Sequence, residues 1–100
     1  MCALPNMDVV RDITDLAIAR GTGPYGWYAG IATDPMQRLF NDHKVDASTR
    51  DWTWWEAPSE AIARATEKAL LDNGFRGGPG GGREPRFVYA YKITNYTSED

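Results

Sequence analysis

At 100 residues, 42% hydrophobic and 25% charged, the chain has the size and balance of one compact domain, which sets aside disordered and fibrous classes. Its one cysteine, Cys2, allows no internal disulfide, and no apolar run reaches the roughly 18 residues of a membrane span or forms a signal peptide, so a cytoplasmic protein with no membrane contact is expected. The net charge of −3 leaves no overall basic footprint for phosphate, so a nucleic-acid partner would have to be held by local cations or a metal ion, whereas a basic protein partner suits the balance directly.

Asn6 can cap a helix in which Val9, Val10, Ile13, Leu16 and Ala17 recur at helical spacing, and Gly21 with Gly23 can end it, which predicts a helix over 7–20. After a turn at 21–24 a strand is expected over 25–32. Trp27, Ala29 and Ile31 alternate onto one face, and Tyr28, Gly30 and Ala32 onto the other. That second face reads as almost bare around Tyr28. Glycine in a strand gives up packing, so Gly30 marks either a tight helix–strand contact or the close approach of something large, such as a nucleic-acid backbone.

Asp34 can accept hydrogen bonds from the free N–H groups of a second helix, and Pro35 suits its first position. Met36, Leu39 and Phe40 supply the apolar stripe, which directs Arg38 toward the end of the strand or toward solvent. Arg38 and Asp42 stand at the i,i+4 spacing of a surface ion pair, and a histidine at a helix end, as His43 is, suits the negative pole of the dipole. A loop over 44–51 leads to a strand over 52–56, with Trp52 and Trp54 on one face and Trp55 on the other. These tryptophans can be core or a platform for stacking bases.

Ser59 can cap a third helix over 60–73, stopped at Gly74, with Ile62, Ala65, Ala69 and Leu70 as its core stripe. Glu67 falls among Ala63, Leu70 and Leu71 at the edge of that apolar surface, a setting for a metal-binding carboxylate or for an edge salt bridge to Arg64 or Lys68. The glycine and proline run at 77–82 is a loop, either a plain connector or a set of N–H groups able to approach phosphate, although it lacks the Lys and Ser/Thr of a phosphate-binding loop. The clearest strand is 87–94, with Phe87, Tyr89, Tyr91 and Ile93 on one face and Val88, Ala90 and Lys92 on the other. The acidic end, 95–100, is expected to fray. The expected fold is therefore α/β, one domain over 1–100, with a small three-stranded, mainly antiparallel sheet covered by three helices.

Tyr28-Ala29-Gly30, an arginine eight positions after that glycine (Arg38), a histidine soon after it (His43) and an acidic residue on a later helix (Glu67) resemble the second half of the GIY-YIG nuclease signature. The resemblance covers residues 25–75. In that family a Gly-Ile-Tyr-like strand comes first; here a helix stands in its place. The C-terminal strand would replace it, lying beside 25–32 and bringing Tyr89 or Tyr91 as a second phenol.

The resemblance implies a metal-dependent endonuclease that hydrolyses phosphodiesters in nucleic acid, DNA in preference to RNA. Glu67 would hold one Mg2+ or Mn2+, Arg38 would meet charge on the phosphorane, and Tyr28 would orient the nucleophile. A tyrosine, Tyr28 or Tyr89, would help deprotonate water, with His43 as proton acceptor or phosphate ligand. The chain departs from the family pattern in placing His43 five positions after Arg38 instead of four, in placing Asp42 at the usual position, and in lacking the late asparagine. The alternative is a non-catalytic protein on a nuclease-like scaffold that binds a basic protein partner through its acidic surface.

Overall fold

Three side-chain caps start the helices of this chain. In the computed structural model, which describes residues 3–78 and 84–99, the Asn6 side chain accepts from the N–H groups of Asp8 and Val9 and opens helix α1 (Met7–Ala19). Ser59 accepts from the Ile62 N–H and opens α2 (Glu60–Asp72). Asp34 accepts from the Gln37 N–H at 3.1 Å ahead of the middle helix. Each cap satisfies a donor that the first helical turn leaves unpaired.

The strands are β1 (Trp27–Ala32), β2 (Trp52–Glu56) and β3 (Phe87–Lys92). β1 starts two residues later than the sequence suggests, because Pro24–Gly26 forms a 3-10 turn around the fixed φ of proline. β3 ends two residues early, where Thr94 enters a turn closed by the Thr94 N–H bond to Thr97 Oγ1 at 2.9 Å.

β3 is central, antiparallel to both neighbours, in the order β1-β3-β2. The C-terminal strand thus does lie beside β1, with Tyr91 opposite Tyr28 and Tyr89 opposite Gly30. The outer edge of β1 is also bonded: the Ala29 N–H donates to the Arg76 carbonyl at 2.8 Å and the Arg76 N–H to the Trp27 carbonyl at 2.9 Å. With both edges paired, all six residues of β1 are buried.

Period-2 alternation sorts the sheet into two cores. Trp27, Ala29, Ile31, Val88 and Ala90 pack under α1 and α2, against Val10, Ile13, Ala17, Ala63 and Leu70. On the other face Tyr28, Ala32, Tyr89 and Tyr91 pack with Leu39 and Val45. The face expected to be bare around Tyr28 is therefore filled, and Tyr28 is only 4% exposed. The inward residues of α2 are Ala63, Thr66 and Leu70, not a stripe through Ala65. Thr66 can face inward because its hydroxyl accepts the Asn6 N–H at 3.0 Å, which ties α2 to the start of α1.

The middle helix holds the main surprise. After one α-type bond, from the Arg38 N–H to the Asp34 carbonyl, it widens into a π-helix over Gln37–Asp42. The His43 N–H then donates to the Arg38 carbonyl five residues back, at 2.8 Å. Met36, just ahead of the π-helix, is 56% exposed, so the expected stripe reduces to Leu39 and the half-buried Phe40. Phe40 meets Trp52 edge-on at 5.0 Å, and Trp52 stacks on Trp54 at 5.3 Å, which places these tryptophans at a half-buried sheet edge.

The described part of the acidic end, 95–99, does not fray. Ser98 and Glu99 are docked, by the Ser98 N–H bond to the His43 carbonyl at 2.7 Å and the Arg76–Glu99 ion pair at 3.1 Å. Of the glycine-rich run only Gly77 and Gly78 are described; 79–82 lie outside the described residues, as do Cys2 and Asp100.

Candidate active site

The π-turn delivers His43 into the aromatic face of the sheet. A π-helix places residue i+5 one hydrogen-bonded turn beyond residue i, so His43 sits one turn on from Arg38 despite the five-residue spacing. The imidazole is fully buried, with Nδ1 2.6 Å from the Ser98 carbonyl and Nε2 2.7 Å from the Tyr89 hydroxyl. A carbonyl oxygen can only accept, so Nδ1 carries the proton and Nε2 accepts from the Tyr89 O–H. The Tyr91 hydroxyl lies 3.0 Å from both His43 Nδ1 and the Ser98 carbonyl, and with Nδ1 protonated it donates to the carbonyl. Tyr28 closes the cluster, its ring 4.8 Å from His43 and 5.2 Å from Tyr91.

Gly30 makes room for this arrangement. A Cβ there would lie 2.6 Å from the Tyr89 hydroxyl oxygen and 2.7 Å from its Cζ, so Tyr89 crosses β1 through the space a side chain would fill. The close approach that Gly30 permits is therefore made by a phenol of the neighbouring strand. No external backbone is needed to account for it.

Arg38 stands near Tyr89, and its positive charge favours the ionised form of the phenol. Its Nη1 donates to Asp42 at 2.8 Å, the i,i+4 pair read from the sequence. Its Nε is buried and finds no acceptor among the described residues. A guanidinium N–H held out of water without an acceptor is a donor in wait of an oxygen.

Glu67 comes from α2, on the other side of the sheet, yet its charge raises the proton affinity of both Tyr28 and Tyr89. Burial pushes its own carboxyl above the usual range, and Arg64 only partly offsets this. The edge salt bridge that the sequence allows is absent among the described residues, because Arg64 pairs with Glu60 at 2.7 Å instead. The phenols are held protonated by burial: Tyr28 is raised, Tyr89 is pushed up to about 12, and Tyr91 is raised further.

The donor set bears on the metal implied by the resemblance. The described residues contain no cluster of three or more His, Cys, Asp or Glu side chains, so they build no all-protein cage. One desolvated carboxylate that forms no ion pair among the described residues does suit Mg2+ or Mn2+, ions that keep several waters and take other oxygens from substrate phosphate.

The structure thus brings together Tyr28, Arg38, His43 and Tyr89, with Tyr91 as a third phenol and Glu67 within electrostatic reach. The four rings form a buried unit rather than an open concave wall; Arg38 and Glu67 are its partly exposed members. Sequence reasoning missed two contributors, the Ser98 carbonyl and the Gly78 backbone, which lies against the Tyr28 hydroxyl and favours its ionised form. Both are backbone groups, which leave no residue-type signal to read. Compared with known proteins, the chain matches no family model, no curated protein and no solved structure. No helix among the described residues is long and apolar enough to cross a membrane.

Proposed function

We propose that the protein is a nuclease of the GIY-YIG type that uses a divalent metal to hydrolyse phosphodiester bonds, in DNA before RNA. The observation that carries this reading is the placement of Arg38, with a buried N–H that finds no acceptor among the described residues, beside a Tyr89–His43 hydrogen bond and within reach of the charge of Glu67, which forms no ion pair among the described residues. Such a set offers, in one place, a phosphate donor, a proton path and a hard oxygen ligand.

Glu67 would hold one Mg2+ or Mn2+, which when bound supplies positive charge to a phosphoryl oxygen. Arg38 is fixed by Asp42 through Nη1, leaving Nε to donate to an oxygen on which charge builds in the transition state. Tyr28, held against His43 and Tyr91, orients the attacking water. Tyr89 takes a proton from that water as its own proton passes to His43 Nε2, so no free phenolate is formed and the proton count is conserved. The imidazolium that results keeps its Nδ1–H on the Ser98 carbonyl.

The test is cleavage of single- and double-stranded DNA and RNA by the purified protein with Mg2+ or Mn2+. Cleavage is expected. Arg38→Ala should reduce it about 100-fold, equivalent to about 3 kcal/mol of transition-state stabilisation, while keeping the metal. Glu67→Ala should abolish cleavage together with metal binding. If every substrate is left intact, the nuclease reading fails and an acidic, non-catalytic protein with a basic protein partner becomes the better account.

A further inference from the structure

We propose that the chain segment after β3, residues 94–99, is a working part of the site, and that Ser98 acts through its backbone as the positioning residue for His43. The inference rests on the nuclease reading for its catalytic consequence, although its structural core stands alone.

Ser98 and His43 grip each other in two directions. The Ser98 N–H donates to the His43 carbonyl at 2.7 Å, and the His43 Nδ1–H donates to the Ser98 carbonyl at 2.6 Å. The pair spans 55 residues of sequence, so it is a tertiary contact and not a local turn. The segment is held to this position from three sides: by the turn between Thr94 and Thr97, by the Tyr91 hydroxyl on the Ser98 carbonyl at 3.0 Å, and by the Glu99 carboxylate on Arg76 at 3.1 Å. Arg76 in turn is fixed by its main-chain bonds to β1 beside Tyr28.

The chemical consequence follows from what a carbonyl can do. With the proton on Nε2 instead, the Nδ1 lone pair would face the Ser98 oxygen at 2.6 Å, two acceptors in contact, and the single Tyr91 O–H, 3.0 Å from each, can donate to only one of them. The segment therefore forces the tautomer in which Nε2 is a bare acceptor. Only that tautomer can receive the Tyr89 proton. The arrangement is a relay whose last member is a main-chain carbonyl, which the segment contributes through its backbone.

His43 is the only histidine in the chain, so its imidazole nitrogens give one set of nitrogen-15 resonances. The unsubstituted 100-residue chain is expected to show a protonated Nδ1 and an unprotonated Nε2. Ser98→Ala, which leaves the backbone bonds in place, should keep that tautomer pattern. Ser98→Pro removes the N–H that grips His43 and should transfer proton population to Nε2. It should also lower kcat by roughly 10- to 100-fold, with KM changed less than about twofold. Glu99→Lys, which turns the Arg76 contact repulsive without touching the backbone, should shift both readouts in the same direction and decides the matter if Ser98→Pro does not fold. An Nε2-protonated wild type, or an unchanged tautomer in a folded Ser98→Pro or Glu99→Lys variant, would overturn the proposal. A protein that shows the expected tautomers but cuts no nucleic acid loses the nuclease reading alone.

Discussion

Replacing Gly30 by alanine adds one methyl group where the Tyr89 ring already stands. The new Cβ would lie 2.6 Å from Oη, 2.7 Å from Cζ and 3.0 Å from Cε1, whereas carbon atoms in contact settle about 3.5–4.0 Å apart. Tyr89 must retreat by about 1 Å, which stretches its 2.7 Å bond to His43 beyond the ~3.2 Å limit of a good hydrogen bond. Overpacking of this kind costs about 1–3 kcal/mol, and stranding a buried donor and acceptor costs a further 1–3 kcal/mol or so. Against these, alanine in a strand gains about 0.5–1 kcal/mol over glycine. The net loss is about 3 kcal/mol, which in a domain of this size lowers Tm by roughly 10–25 °C. Thermal and urea unfolding followed by tryptophan fluorescence would measure it. Gly78→Ala is the control, because a Cβ there meets the Tyr28 hydroxyl at an ordinary 3.6 Å and should change stability by less than about 0.5 kcal/mol. In a Tyr89→Phe background the Gly30→Ala penalty should shrink by about 1 kcal/mol, the share of the lost hydrogen bond. A Gly30→Ala protein as stable as Gly78→Ala would refute the reasoning.

Two further outcomes follow from the buried titratable groups. Burial raises the Glu67 carboxyl, so the stability tied to its protonated form is fully present below the usual carboxylate range and is lost as pH rises through the folded value. Glu67→Gln should accordingly be more stable than wild type at neutral pH and no more stable near about pH 4, in denaturant titrations at both; a destabilised variant at neutral pH would mean that Glu67 has a cationic partner. The Tyr89 phenol, pushed up to about 12, binds its proton more tightly folded than unfolded, so its contribution is complete below the ordinary phenol range and lost as pH rises toward 12. The alkaline fall in stability should therefore be shallower in Tyr89→Phe, and an identical slope would show that Tyr89 is not desolvated.

What the sequence by itself determined is local. Asn6, Asp34 and Ser59 accept hydrogen bonds from N–H groups within three residues of themselves, so the helix starts follow from residue type and short spacing. The two faces of β1 and β3 follow from strict alternation, which is why Trp27, Ala29 and Ile31 separate from Tyr28 with no knowledge of the partners. The grouping of Tyr28, Arg38, His43, Glu67 and Tyr89 was legible only as a pattern of residue types.

The tertiary structure decided how those residues meet. Whether the empty face at Gly30 admits a ligand or a neighbour's ring depends on the register of β3, set 59 positions later in the chain, where Tyr89 falls opposite it. Helical spacing expects His43 to follow an ordinary turn and the end of the chain to fray. Yet the π-turn and the docked Ser98 exist together, because a buried imidazole must satisfy both nitrogens and its partners lie 46 and 55 residues away. No pattern within a few residues carries that information: a main-chain carbonyl is the same in every residue, and only the fold determines which one reaches His43.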